Sequence, residues 1–157
     1  MTTPDRLYWA PTDHRYRRSG ISVIVGTGEA LWERATREVL RWGVKTASGF
    51  VVDSPGPVFR GDRVMVRARF LTVTVVEPVE VVSVVEETDR VGFAYRTLPG
   101  HPANGEEAFI VSREGNEVRL TVRSLTRPAP QQPWRSLFPL LRLVQLVARR
   151  RYLRALR

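Results

Sequence analysis

The sequence predicts an α+β domain in which a curved antiparallel sheet packs around a long C-terminal helix. Three observations carry this. Between residues 63 and 123 apolar side chains recur at every second position, the period of half-buried strands. Turn-forming residues break that pattern at short intervals, at Thr88-Asp89, at Pro99-Gly100 and at Arg113-Glu114-Gly115-Asn116. Helical periodicity flanks the strand block on both sides, and strands grouped between helices argue α+β rather than an alternating parallel fold.

The 157 residues suffice for one domain, 1–157, with a core that needs neither metal nor disulfide. Residues 1–18, with Pro4, Pro11 and the cluster Arg15, Arg17, Arg18, read as an arm or loop. Ile21 to Val25 is a short strand. Gly26-Thr27-Gly28 turns the chain, with Thr27 as N-cap of a helix from Glu29 to Trp42. Leu31, Ala35, Val39 and Trp42 make its apolar face, and Gly43 stops it. Ser48 to Phe59 is loop-rich. In the next strand Val64, Val66, Ala68 and Phe70 share one face, and Arg63, Arg67 and Arg69 the other. Two Val-rich strands, 73–76 and 79–85, are separated at Glu77-Pro78. Strands at 91–96, 106–111 and 117–123 follow, and Thr126-Arg127-Pro128-Ala129-Pro130 ends the sheet. The last helix starts near Ser136, with Pro139 in its first turn. Phe138, Leu141, Gln145, Ala148 and Tyr152 form its inward stripe.

Composition narrows the chemistry. Cysteine is absent, which excludes a disulfide scaffold, a cysteine nucleophile and a thiolate metal site, and fits a cytoplasmic protein. The first 20 residues hold no apolar run of the kind a signal peptide needs. The longest apolar stretch, Leu137 to Ala148, is too short to span a bilayer and contains Arg142. Net charge is +9, and seven of those charges are arginines of the basic segment 134–157, which holds no acid. Of the 25 Lys and Arg residues only Lys45 is lysine. Arginine suits bidentate contacts to carboxylate or phosphate, but a GC-rich genome produces the same bias.

The acid–base options gather in one loop, His101-Pro102-Ala103-Asn104-Gly105-Glu106-Glu107. Strand phase puts Val91, Phe93, Tyr95 and Thr97 on one face, and Glu107, Phe109 and Val111 on one face of the return strand. Glu106 and Glu107 point to opposite faces, so they do not form a carboxylate pair. With the aromatic faces inward, Tyr95, Thr97 and Glu107 face inward too. A buried carboxylate then needs partners, and His101, Arg127 and the Tyr95 hydroxyl are the candidates. His101 with Glu107 could move a proton. The same residues could equally brace the turn, and both roles stay open. One histidine beside two adjacent carboxylates is too poor a ligand set for zinc, and His14 lies in the arm. No cofactor is implied. Gly26-x-Gly28 lacks the third glycine of a dinucleotide fingerprint, with Leu31 in its place, and there is no Walker lysine and no G-x-S-x-G.

The run Gly92 to Phe109, GFAYRTLPGHPANGEEAF, with Ser124-Leu125-Thr126-Arg127-Pro128 after it and Tyr152-Leu153 near the end, resembles the DUF1990 family of bacterial and plant proteins, a domain of unknown function. The resemblance covers nearly the whole chain from Tyr16 onward. Two departures are visible: Thr126 where the family usually has serine, and Arg96 where it usually has glycine. The family implies no activity. The element order is similar to that of the START-like helix-grip superfamily, which includes polyketide cyclases and pollen allergens and mostly binds apolar ligands between sheet and helix. That analogy implies a cavity for a small apolar or amphipathic molecule, lined by Phe93, Tyr95, Thr97, Phe109, Arg127 and the last helix. Two alternatives stay open. One is an enzyme, cyclase- or isomerase-like, using His101 and Glu107. The other is a weak anionic-membrane or nucleic-acid contact through Arg149, Arg150, Arg151 and Arg154.

Overall fold

A computed structural model describes residues 1–10, 13–54, 56–70, 72–131 and 133–157. Pro11 and Pro55, read from the sequence as loop residues, lie outside these, as does the side chain of Phe70. The elements are β1 (Arg17–Thr27), α1 (Glu29–Val39), α2 (Gly43–Ala47), β2 (Val51–Val52), β3 (Arg63–Phe70), β4 (Val73–Glu87), β5 (Arg90–Thr97), β6 (Ala103–Glu114), β7 (Glu117–Pro128) and α3 (Trp134–Tyr152). The strands form one antiparallel sheet in the order β1-β7-β6-β5-β4-β3-β2. Neighbours in sequence are neighbours in space except at β1, which pairs with β7 and closes one edge.

Several boundaries differ from the sequence reading. β1 begins at Arg17, inside the segment read as arm, because Arg17 and Arg18 pair with Thr126 and Leu125. The first helix ends at Val39 rather than Trp42. Trp42 adopts a left-handed conformation, φ 64°, and the chain turns into the separate short helix α2. Such a conformation is costly for a bulky residue. Burial of the indole against Phe93, with ring centroids 4.8 Å apart, offsets it. A Cβ on Gly43 would come within 2.6 Å of the Glu38 carbonyl oxygen, so the position after Trp42 is confined to glycine. The two Val-rich strands are one 15-residue strand, β4, that runs through Glu77-Pro78. Pro78 is tolerated because its carbonyl accepts from the Leu98 N–H. Its missing donor therefore faces the same side, where β5 has already ended. α3 starts two residues earlier than expected, which places Pro139 in its second turn.

Bulges at Ile24/Gly26 and Val81/Ser83 curve the sheet. At Gly105 a Cβ would lie 1.8 Å from the Leu125 carbonyl oxygen, so β6 and β7 approach more closely there than any side chain allows. The concave face holds the main core: Trp32, Val39 and Trp42 against Val66, Val79, Val81, Phe93, Phe109, Leu120 and Val122, with Tyr152 and Leu156 from the C-terminal end. Fully burying each such side chain contributes about 1.5–3 kcal/mol. The convex face is covered by the N-terminal arm. There Arg123, 5% exposed, donates to the carbonyls of Thr3, Arg6 and Leu7, and Arg90 donates to those of Pro4 and Arg6.

Candidate functional site

The concave face changes character along its strands. In one row Phe93, Phe109, Val122 and Ile21 lie side by side across β5, β6, β7 and β1. Two residues on, the row is Tyr95, Glu107, Ser124 and Ser19. An apolar floor thus gives way to a polar one within one strand period. α3 roofs this transition. Between them lies a cavity of about 80 Å³ whose walls include Lys45, Phe50, Glu77, Tyr95, Glu107 and Tyr152, with Val144, Gln145 and Ala148 of α3 above. That space holds a few waters or a small polar group, well below the roughly 300–1,000 Å³ of drug-sized ligand pockets.

Lys45 is the centre of the site. α2 carries it inward, and it is 4% exposed. Its Nζ lies 3.3 Å from Glu107 Oε2 and 3.9 Å from Glu77 Oε2. The rings of Phe50, Tyr152 and Tyr95 surround it at 4.4, 5.3 and 5.4 Å from their centroids. Burial opposes the charge, but the oxygens of Tyr152, Tyr95, Glu107 and Glu77 outweigh it and hold the lysine pKa well above its ordinary value. Glu107 also accepts from the Tyr95 hydroxyl. Burial, and then Glu107, push the Tyr95 phenol well above its usual range. Glu77 is raised by burial, a shift that Lys45 reduces and Glu107 adds to.

His101 reaches the same cavity from the β5–β6 connection. Leu98-Pro99-Gly100-His101 is a tight turn closed by the His101 N–H on the Leu98 carbonyl. Proline second and a left-handed glycine third (φ 98°) are what a type II turn requires. The Ala103 N–H donates to Nδ1 of His101 at 3.0 Å. The proton of the neutral ring therefore sits on Nε2, which lies 3.9 Å from Glu77 Oε2. Burial, and then the Lys45 charge, lower the His101 pKa to about 3. The imidazole is a neutral N–H donor to the cavity and braces its own turn.

The expected site residues separate in space. Tyr95, Thr97, His101 and Glu107 line the cavity. Among the described residues no hydrogen bond or ion pair joins His101 to Glu107. Instead His101 faces Glu77, and Glu107 serves Lys45 and Tyr95. Thr97 accepts from the Gly105 N–H and ties β5 to β6. Phe93 and Phe109 sit in the core, 0% and 1% exposed, packed on Trp42 and Tyr152. Arg127 stacks over Tyr16, its guanidinium carbon 4.8 Å from the ring centroid, and among the described residues no hydrogen bond or ion pair joins it to Glu107. Arg149, one of the four arginines expected to contact an anionic surface, turns to the sheet edge and donates to Ser19 and Ser124. Lys45 and Glu77 were missed. The signal for Lys45 was in the composition: one lysine in a chain that otherwise uses arginine.

The profile of the DUF1990 domain of unknown function matches residues 5–155. The chain belongs to this family. A UPF0548 protein of Deinococcus radiodurans is 34% identical over 143 residues, covering 81% of this chain and 66% of the relative. This DUF1990 chain thus spans just under two thirds of that relative's length. A hypothetical protein of Helicobacter pylori has a similar structure, with TM-score 0.65 and 13% identity over 99% of this chain and 96% of its own. The Zhui aromatase/cyclase of a Streptomyces species gives TM-score 0.59 and 12% identity over 90% and 91% of the two chains. At these identities the likeness is one of fold, and the fold is the helix grip: an antiparallel sheet curved around a C-terminal helix. Among the described residues no helix is long and apolar enough to cross a membrane.

Proposed function

We propose that the chain binds a small amphipathic molecule between the sheet and α3. Its polar end sits at Lys45, Glu77, Glu107 and the Nε2–H of His101. Its apolar body lies along Phe50, Val144, Ala148 and Tyr152. The observation that carries this reading is the change of the concave face from apolar to polar beneath a roofed cavity. A wall with no ligand to orient is most cheaply built apolar throughout, since a buried ion pair is often no more stabilising than well-packed hydrophobic side chains. The 80 Å³ accommodates a head group, so a larger ligand enters with an outward shift of α3. The helix-grip fold, which the Zhui aromatase/cyclase shares, is compatible with such a role.

The test is a cavity-filling substitution. Ala148→Trp occupies the apolar end without touching the ion pairs. Small molecules that copurify with the protein are identified by native mass spectrometry. A 1:1 adduct in the parent protein that Ala148→Trp abolishes is the expected result. An adduct retained at equal occupancy in a folded Ala148→Trp protein would overturn the reading.

A second reading is proton transfer on an enolisable substrate. It is favoured by Glu77, whose carboxyl burial pushes toward the neutral form beside a fixed Nε2–H donor. Glu77→Gln that keeps ligand and loses turnover would select it over simple binding.

A further inference from the structure

The outer face of α3 is apolar. Leu140, Leu143, Leu146 and Val147 are 58, 59, 55 and 47% exposed. At 100° per residue they fall within an arc of about 120°, centred opposite the inward stripe of Phe138, Leu141, Gln145 and Tyr152. A helix apolar on both faces is covered on both faces, and here the sheet covers one. The surrounding charge has one sign. Arg135, Arg142, Arg150 and Arg154 are exposed on or beside this face, and residues 134–157 contain no acid. Arg149 and Arg151 are engaged inward, with Ser19, Ser124 and the Ser48 carbonyl.

We propose that α3 docks the protein, outer face down, on an anionic lipid surface. The leucines enter the acyl boundary, and the four exposed arginines reach the headgroup phosphates with their stems along the apolar surface. The alternatives fit less well. Two-fold pairing of a second copy through this face would bring the two arginine sets together with no acid to neutralise them. Nucleic acid would engage the arginines and leave the leucine row in water.

The experiment is co-sedimentation of the full chain with phosphatidylcholine vesicles, with and without phosphatidylglycerol, at low and high salt. Partition to the anionic vesicles at least about tenfold above the neutral ones is expected, weakening as salt rises. The double variant Leu143→Gln/Leu146→Gln removes most of the anionic-vesicle binding. Arg142→Gln/Arg150→Gln narrows the anionic-to-neutral ratio several-fold. All four positions are exposed, so an unchanged thermal midpoint certifies the fold. Equal partition to both vesicle types, or binding unaffected by either variant, overturns the proposal. So does a concentration-dependent dimer that the leucine variant abolishes, or retention on duplex DNA that the arginine variant abolishes, while vesicles bind nothing. Ala148→Trp changes no residue of the outer face, so failure of this docking and failure of the cavity reading are distinguishable.

Discussion

Lys45→Met removes the buried cation and keeps most of the side-chain volume, so its cost measures the charge. The ion pair to Glu107 is 3.3 Å long. At an effective dielectric of about 20 its Coulomb energy is about 5 kcal/mol. Losing the lysine leaves Glu107, 17% exposed, with the Tyr95 hydroxyl as partner, and breaking a buried pair costs about 3–5 kcal/mol. Glu77 loses less, because burial already pushes it toward its neutral form. For a chain of this size each kcal/mol moves the thermal midpoint by about 2–4 °C, so a drop of roughly 10 °C is expected. Glu107→Gln on the Lys45→Met background removes the unpaired charge and keeps an acceptor for Tyr95. The double variant is therefore expected to recover about 2 kcal/mol or more relative to the sum of the single losses. Urea denaturation of the four proteins at neutral pH measures the cycle. A Lys45→Met loss below about 1 kcal/mol, or strict additivity, would show that the pair is solvated and that the electrostatic account of the site is wrong.

Two further outcomes follow from the same geometry. Below the ordinary histidine pKa the unfolded chain binds a proton that buried His101 refuses until about pH 3, so stability falls with pH across that window. The slope is about 1.4 kcal/mol per pH unit, and His101→Gln should reduce the stability lost between about pH 6 and pH 4 by roughly 2–3 kcal/mol; parallel urea-midpoint profiles for the two proteins would refute this. Gly105→Ala places a Cβ against the Leu125 carbonyl and should cost more than about 3 kcal/mol, whereas Gly56→Ala, with open space around it, should stay within about 0.5 kcal/mol. Equal thermal midpoints for the two alanine variants would contradict the close approach of β6 and β7.

Much of the sheet was legible because alternation is a direct consequence of burying one face. The phases of Tyr95, Thr97 and Glu107 follow from it, and these residues face the cavity together. The failures have physical reasons. Pro78 looked like a strand break because proline lacks a ladder donor, yet its nitrogen faces the end of β5, where no acceptor is lost. That misreading hid Glu77, which the continuous strand carries into the site. Lys45 sits on a five-residue helix, too short for periodicity to reveal. His101 is one of three candidate partners for the inward-facing Glu107, and the type II turn directs its imidazole to Glu77 instead. On α3 the inward stripe is legible, but the apolar outer face is not, because arginines interleave with its leucines along the helix.

The clamp on the N-terminal arm has a consequence for how that segment can drift. The hydrogen bonds by which Arg90 and Arg123 hold it end on main-chain carbonyls, those of residues 2–4 and of Arg6 and Leu7, while Arg123 also lies over the Trp9 ring. Carbonyls are the same in every residue type. Substitutions at Pro4, Arg6 or Leu7 leave the acceptors in place, while losing or adding a single residue shifts the register of every acceptor beyond it. The two guanidiniums, which repel one another, would then face each other with their acceptors displaced. Between the anchoring side chains of Thr2 and Trp9 the arm is a spacer read by length, and there selection would act on insertions and deletions before it acted on letters.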